Sequence, residues 1–248
     1  MPHEVFKYQL SPFDQSKRVE RMFEKTDARN KGICKGLAVQ WLLSHMTQPL
    51  NLSSQRMAFL RETFMTAGDL QKIVIDRVQN RTDDLNKRVL QESERRMELF
   101  SSNQLQMGLN IIPSKIREEQ QFSRTPEEKE QAVLEDNIAL LKAVGLRLGK
   151  VCPYENDFGK IAEMLEGDSK VSKWQHFLIS VQHETQNSAA LSAHAWCGYM
   201  GSDGLHLFDP IRGEFWCSEG TKLLYLLFDE YKSHHRIHEV SMLTVEKA

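Results

Sequence analysis

The stretch Ser192–Trp216 reads SAHAWCGYMGSDGLHLFDPIRGEFW. SAHAWCGYM suits a strand, GSDG a tight turn, LHLFDP a returning strand, and GEFW a third. In the first strand His194, Trp196 and Gly198 face one way, while Ala195, Cys197 and Tyr199 face the other. The returning strand brings Asp209 back toward the level of His194. Pro210 ends that ladder, so the Asp209 carboxylate sits at a strand end, where it can bend toward the imidazole. Small alanines beside His194 leave room for another element to approach. A histidine oriented by a carboxylate raises the question of what that third element carries.

The texture of the rest frames this hairpin. HFLISVQH precedes it as another short β-like run. TKLLYLLFDEYKS follows as a helix, and RIHEVSMLTVE reads as a final edge strand. Upstream the chain is helical. Between Pro49 and Pro113 there is no proline and the glycines are Gly68 and Gly108. DLQKIVIDRVQNRTDDLNKRVLQESERRMELF spaces its apolar residues for one long or two shorter surface helices. TPEEKEQAVLEDNIALLKAVGLRLG reads as a helix with Thr125 as N-cap, Pro126 at its first position and Gly149 at its end. Helices come first and an antiparallel sheet second, which is an α+β layout. We expect one domain over 1–248, with an N-terminal extension at 1–28, a mainly helical half at 29–150 and a sheet-rich half at 151–248.

Bulk properties exclude several classes. Lys and Arg number 32 against 34 Asp and Glu, a net charge of -2, so no nucleic-acid partner is expected. No apolar run approaches a membrane span, so no stable membrane insertion is expected. The opening MPHEVFKYQLSPFDQSK lacks the apolar core of a Sec signal peptide. Four cysteines, Cys34, Cys152, Cys197 and Cys217, are too few and scattered for a disulfide framework, which leaves a thiol for chemistry.

NKGICKGLAVQWLLSHMTQP places that thiol. Gly32 sits in a turn, Cys34, Leu37, Ala38, Trp41, Leu42 and His45 share one helical face, and Pro49 closes the segment. Cys34 thus stands at or just before a helix N-terminus, where the macrodipole and unbonded N–H groups favour a thiolate. A buried apolar cysteine is the plainer reading of Cys34 alone, as a packed histidine is of His194 and a turn aspartate of Asp209. Together they run in the chain order Cys, His, Asp, and a thiol nucleophile needs a base that is itself oriented by an acceptor. Zinc is the rival chemistry. His194, Cys197, His206 and Cys217 are all possible ligands, but positions 194 and 197 point to opposite faces of a strand, so no metal is expected. His234 to His238, in HHRIH, reads as a solvated helix end. Trp41, Trp174 and Trp216 are expected in the core or at a cleft rim, and Cys152 and Cys217 in structural positions.

GICKGLAVQWL, followed far downstream by AHAWCGYMGSDGLHLFDPIRGEFWC, resembles the YopT-like cysteine proteases, papain-fold effector proteases of bacteria. The resemblance implies Cys34 as nucleophile, His194 as general base and acid, and Asp209 as the residue that orients His194. It implies a side-chain oxyanion donor just upstream of the cysteine, for which Asn30 is the nearest amide, beside the Cys34 N–H. No cofactor is implied. The implied substrate is a host-cell protein, such as a small GTPase or a kinase, and the implied route is a specialised secretion system into the host cytoplasm. The same acyl-enzyme would serve deamidation or transamidation. A contrasting reading makes the protein a non-catalytic interaction module whose helices from about Gln55 to Gln106 bind a partner.

Overall fold

A computed structural model describes residues 4–27, 29, 32–103, 125–151, 161, 175–185 and 188–248. After a 3-10 turn at Val5–Tyr8 the elements run β1 (Gln9–Pro12), α1 (Ser16–Met22), α2 (Cys34–Thr47), α3 (Ser53–Glu62), α4 (Phe64–Asn103) and α5 (Pro126–Ala143). They continue with β2 (Leu146–Val151), β3 (Gln175–Thr185), β4 (Ser188–Gly201), β5 (Gly204–Asp209), β6 (Gly213–Cys217), α6 (Gly220–His234) and β7 (His235–Lys247). The seven strands form one antiparallel sheet in the order β1-β6-β5-β4-β3-β7-β2. This is the expected α+β class, with α2 and α3 packed on the sheet.

The backbone divides into two compact units, Met1–Lys72 with Ile138–Ala248, and Ile73–Asn137. The second holds most of α4 and α5. There Arg77 Nε and Arg81 Nη1 donate to Asp136 Oδ1 at 2.9 and 2.7 Å, burying a carboxylate between the two helices. The sequence left α4 as one helix or two; it is one. At the start of α5 the Thr125 hydroxyl accepts from the Glu128 N–H at 3.2 Å, and Glu128 Oε2 accepts from the Thr125 N–H at 2.9 Å. That reciprocal pair is a capping box, as Thr125 promised. The far end departs from expectation. The helix stops at Ala143 and Gly145, at φ 73°, makes the left-handed turn. Gly149 lies inside β2 instead.

The first unit carries the sheet. Its α2 face meets Cys197 of β4, whose Sγ donates to the Ala38 carbonyl at 3.1 Å. Helix α2 is buried almost all round, since Val39, Gln40, Ser44 and Met46 are enclosed along with the predicted stripe. The opposite face of the sheet packs Trp196, Ile179, Leu207, Phe215 and Met242 against Leu223, Leu227, Phe228 and Tyr231 of α6. Strand β7 was expected at an edge. It lies inside, between β3 and β2, and its residues 240–245 are buried without interruption. A strand enclosed on both faces loses the polar alternation of one with a solvated face. The real edges are β1 and β2, neither of which the sequence announced.

Candidate active site

Cys34 opens α2, after an N-cap at Ile33 that has no side-chain capping bond. One of the first N–H groups, that of Gly36, is taken by Gln71 Oε1 at 3.2 Å. A Cβ at Gly36 would fall 2.0 Å from the Ala67 carbonyl oxygen, so only glycine lets the start of α2 lie this close to the first turn of α4. The Cys34 thiol is partly buried. It hydrogen-bonds the His194 side chain and the Ala195 backbone, and it lies 3.9 Å from the Ala193 carbonyl oxygen.

The hairpin supplies the other two side chains. The β4–β5 ladder ends at Cys197↔Phe208. Beyond that pair β5 ends at Asp209, while β4 runs on through His194, which pairs with Val181 of β3 on its other side. His194 Nε2 lies 3.1 Å from Asp209 Oδ1, with the imidazole buried and the carboxylate wholly so. Nε2–H therefore donates to Asp209, and Nδ1 is left to face Cys34. The ring is held between aromatic walls. Tyr231 of α6 stacks on it at 5.8 Å, and Trp196 meets it edge-on at 5.2 Å. Asp209 is held as firmly. Its Oδ1 also accepts from the Ile211 N–H at 2.8 Å, and its Oδ2 accepts from Arg212 Nη1 at 2.9 Å.

The charges follow from these contacts. Burial pushes the Cys34 thiol up, but the bond to His194, its charge, that of Lys35 and the Ala195 N–H bring it below the ordinary thiol value. Burial pulls His194 down, but Asp209 and Cys34 outweigh it and raise the imidazole to about 9. Burial pushes Asp209 up, yet His194, Arg212 and the Ile211 N–H hold it far below the usual carboxylate range. The arrangement favours a thiolate–imidazolium pair beside a fixed anion.

The structure brings together Cys34, His194 and Asp209. Asn30, the fourth residue singled out, lies outside the described residues, as do Cys152 and Trp174. An unforeseen amide is present. Gln15, buried, accepts from the Ile33 N–H through Oε1 at 3.2 Å, and its backbone N–H donates to the Pro210 carbonyl at 3.1 Å. One residue thus ties the chain before Cys34 to the chain after Asp209. Nothing in PFDQSK announces this, because both bonds span distant sequence. Arg212, by contrast, stood in the quoted FDPIRGEF without a role.

The candidate zinc ligands have separate partners. Cys197 bonds Ala38, Cys217 is buried in the α6-side core, and His206 Nε2 lies 3.4 Å from Asp203. Among the described residues no group of three or more His, Cys, Asp or Glu could hold a metal. A second polar cluster surrounds the C-terminal part of α2. Glu214 is fully buried and accepts from Trp41 Nε1 and Arg56 Nε, each at 2.9 Å, while His206 Nδ1 lies 3.9 Å away. Beside it His45 Nδ1 and His176 Nε2 are 3.0 Å apart, with Tyr199 against both rings.

No protein-family model matches this chain, and no curated protein matches it in sequence. Among solved structures, the crystal structure titled Pseudomonas avirulence protein AvrPphB is similar, with a TM-score of 0.60. The two are 16% identical over 98% of this chain and 100% of the other. The likeness is one of fold, and it places the chain in the α+β, papain-like architecture.

Proposed function

We propose that this protein is a cysteine-type peptidase. The observation that carries the reading is the convergence of Cys34, His194 and Asp209, from the start of α2, the edge of β4 and the end of β5. The Cys34 thiolate attacks a peptide carbonyl carbon, and the C–S bond forms as the carbonyl electrons move to oxygen. The Cys34 N–H and a carboxamide donor face that oxyanion. Asn30 is the donor implied by the sequence resemblance, and Gln15 is the carboxamide anchored to Ile33, next to the nucleophile. His194 passes its proton to the leaving amine, the C–N bond breaks, and a thioester remains. His194 then takes a proton from water, whose oxygen displaces Cys34 and releases the acid.

The motif resemblance to YopT-like proteases and the fold of an avirulence protein support a finer reading: an effector delivered into a host cell by a specialised secretion system. Its substrate class is then a host signalling protein, such as a small GTPase or a kinase. The test is the pH dependence of Cys34 alkylation by iodoacetamide, parent beside His194→Ala, read by peptide mass spectrometry. A thiolate well below the free value of about 8.5 that disappears in His194→Ala is expected. An ordinary titration indifferent to His194 would overturn the peptidase reading and leave an interaction module. Proteomic cleavage profiling, with Cys34→Ser as control, then tests the substrate class.

A further inference from the structure

Asp209 is enclosed, and it must remain an anion while its neighbour changes charge. In the peptidase cycle His194 alternates between imidazolium and neutral imidazole. In the neutral phase an enclosed carboxylate with no other cation would lose its counterion, and burial would favour its protonation. The structure supplies a permanent one. Arg212 Nη1 donates to Asp209 Oδ2 at 2.9 Å, while its other arm, Nη2, donates to Glu230 Oε1 of α6 at 3.1 Å. The Arg212 backbone is pinned as well. Its N–H donates to the Asp209 carbonyl at 3.1 Å, and its carbonyl accepts from the Phe13 N–H of the segment after β1 at 3.1 Å.

We propose that Arg212, held by Glu230, is a positioning residue that occupies Oδ2 of Asp209 so that Oδ1 always faces His194. The inference rests on the peptidase reading of Cys34, His194 and Asp209. The guanidinium stays charged at every relevant pH, and its planar fork spans two carboxylates at once, which an ammonium does less well. It therefore locks the carboxylate rotation as well as its charge. Glu230 keeps the guanidinium from turning away and links the pair to α6, the helix that also presents Tyr231 to the imidazole.

The experiment is the Cys34 alkylation midpoint across pH in folded variants, checked by circular dichroism and thermal melting. In Arg212→Gln, Oδ2 of Asp209 is unheld and the Ile211 N–H alone is left to orient the carboxylate, the imidazolium loses support, and the midpoint rises by about one unit, roughly tenfold less thiolate below it. Arg212→Lys restores charge but not the fork and is expected midway, which keeps the test open should Arg212→Gln fail to fold. The deciding arm is the Asp209→Asn background, where Arg212→Gln (or Arg212→Lys) is expected to add nothing. An undiminished shift there would mean that Arg212 acts on Cys34 by its own field, and would overturn the inference. A parent midpoint that His194→Ala leaves unmoved would remove the Cys–His pair itself, and the inference with it. That control separates the two failures.

Discussion

A buried histidine stands by each end of helix α2, His194 at its start and His45 toward its end, and the two behave oppositely. At its start His194 is raised, because a fully buried carboxylate accepts its Nε2–H and a thiol lies on its other side. Toward its end His45 is lowered to about 3 and His176 to about 4, chiefly by burial. A carboxylate is near that end too. Glu214, however, is already engaged by Arg56 and Trp41, and Arg56 and His206 add repulsion at His45. Burial alone does not decide whether an imidazole is charged. The decision lies with what the ring itself bonds: His194 bonds Asp209 directly, although Arg212 holds the same carboxylate, whereas His45 bonds His176. One end favours separated charge between a thiol and an imidazole, and at the other the imidazoles of His45 and His176 are held neutral.

The sharpest way to break this contrast is at Asp209. Asp209→Asn is expected to keep the fold and lower turnover by roughly three to four orders of magnitude, since the histidine loses its orienting acid. Near-full turnover would reduce Asp209 to a turn residue and erase the difference between the two ends. The next largest effect belongs to the other end. Arg56→Met strands Glu214 as an uncompensated buried anion and should cost about 3–5 kcal/mol in urea unfolding. The Cys34 alkylation midpoint should not move. A shifted midpoint would mean that the two clusters are electrically one.

The pH responses should diverge as well. A histidine whose folded value lies below its unfolded one binds more protons when unfolded, so stability is full above about 6.5 and falls toward 4 as the pH drops. His45→Gln is expected to flatten that acid slope in denaturation measured from pH 7 to pH 4. A slope unchanged by the substitution would place the acid lability elsewhere. His194 works in the reverse sense. Raised to about 9, its charged form contributes fully below about 6.5 and is lost as the pH rises through the folded value. The basic limb of Cys34 reactivity and turnover should therefore sit above neutrality and vanish in His194→Ala. The smallest effect is expected at Gln15. Gln15→Met removes one buried acceptor and should cost about 1–2 kcal/mol in stability. A loss of turnover beyond roughly a hundredfold would add an oxyanion role to its clamping one.

These residues also show what could be read from the chain. The hairpin strands, the Cys34 helix and the Thr125 cap were legible because each rests on local patterns: alternation, turn residues and side chains three positions apart. The pairing of His194 with Asp209 was legible because a short turn fixes strand register. The cluster around Glu214 was not. His45, His176, His206 and Glu214 come from four elements, and nothing local distinguishes them from surface histidines or a strand glutamate. Strand β7 was misplaced for a related reason. Its polar start at residues 235–239 resembles an edge, and only the partner β2, which the sequence reading did not foresee, encloses it. Gln15 was invisible because its partners, Ile33 and Pro210, lie far along the chain in opposite directions.

The strand order bears on how the protein is made. Strand β1 emerges first and pairs with β6, and the Gln9 side chain bonds the Arg212 carbonyl, 203 positions away. Strand β2 has its ladder on β7, which follows every other strand. Closing such long loops is entropically costly and slow. Cys34 lies about 160 positions before His194, so the two side chains come together only through long-range pairing. On the peptidase reading, Cys34 would meet His194 and Asp209 only once β4 and β5 had paired beside α2.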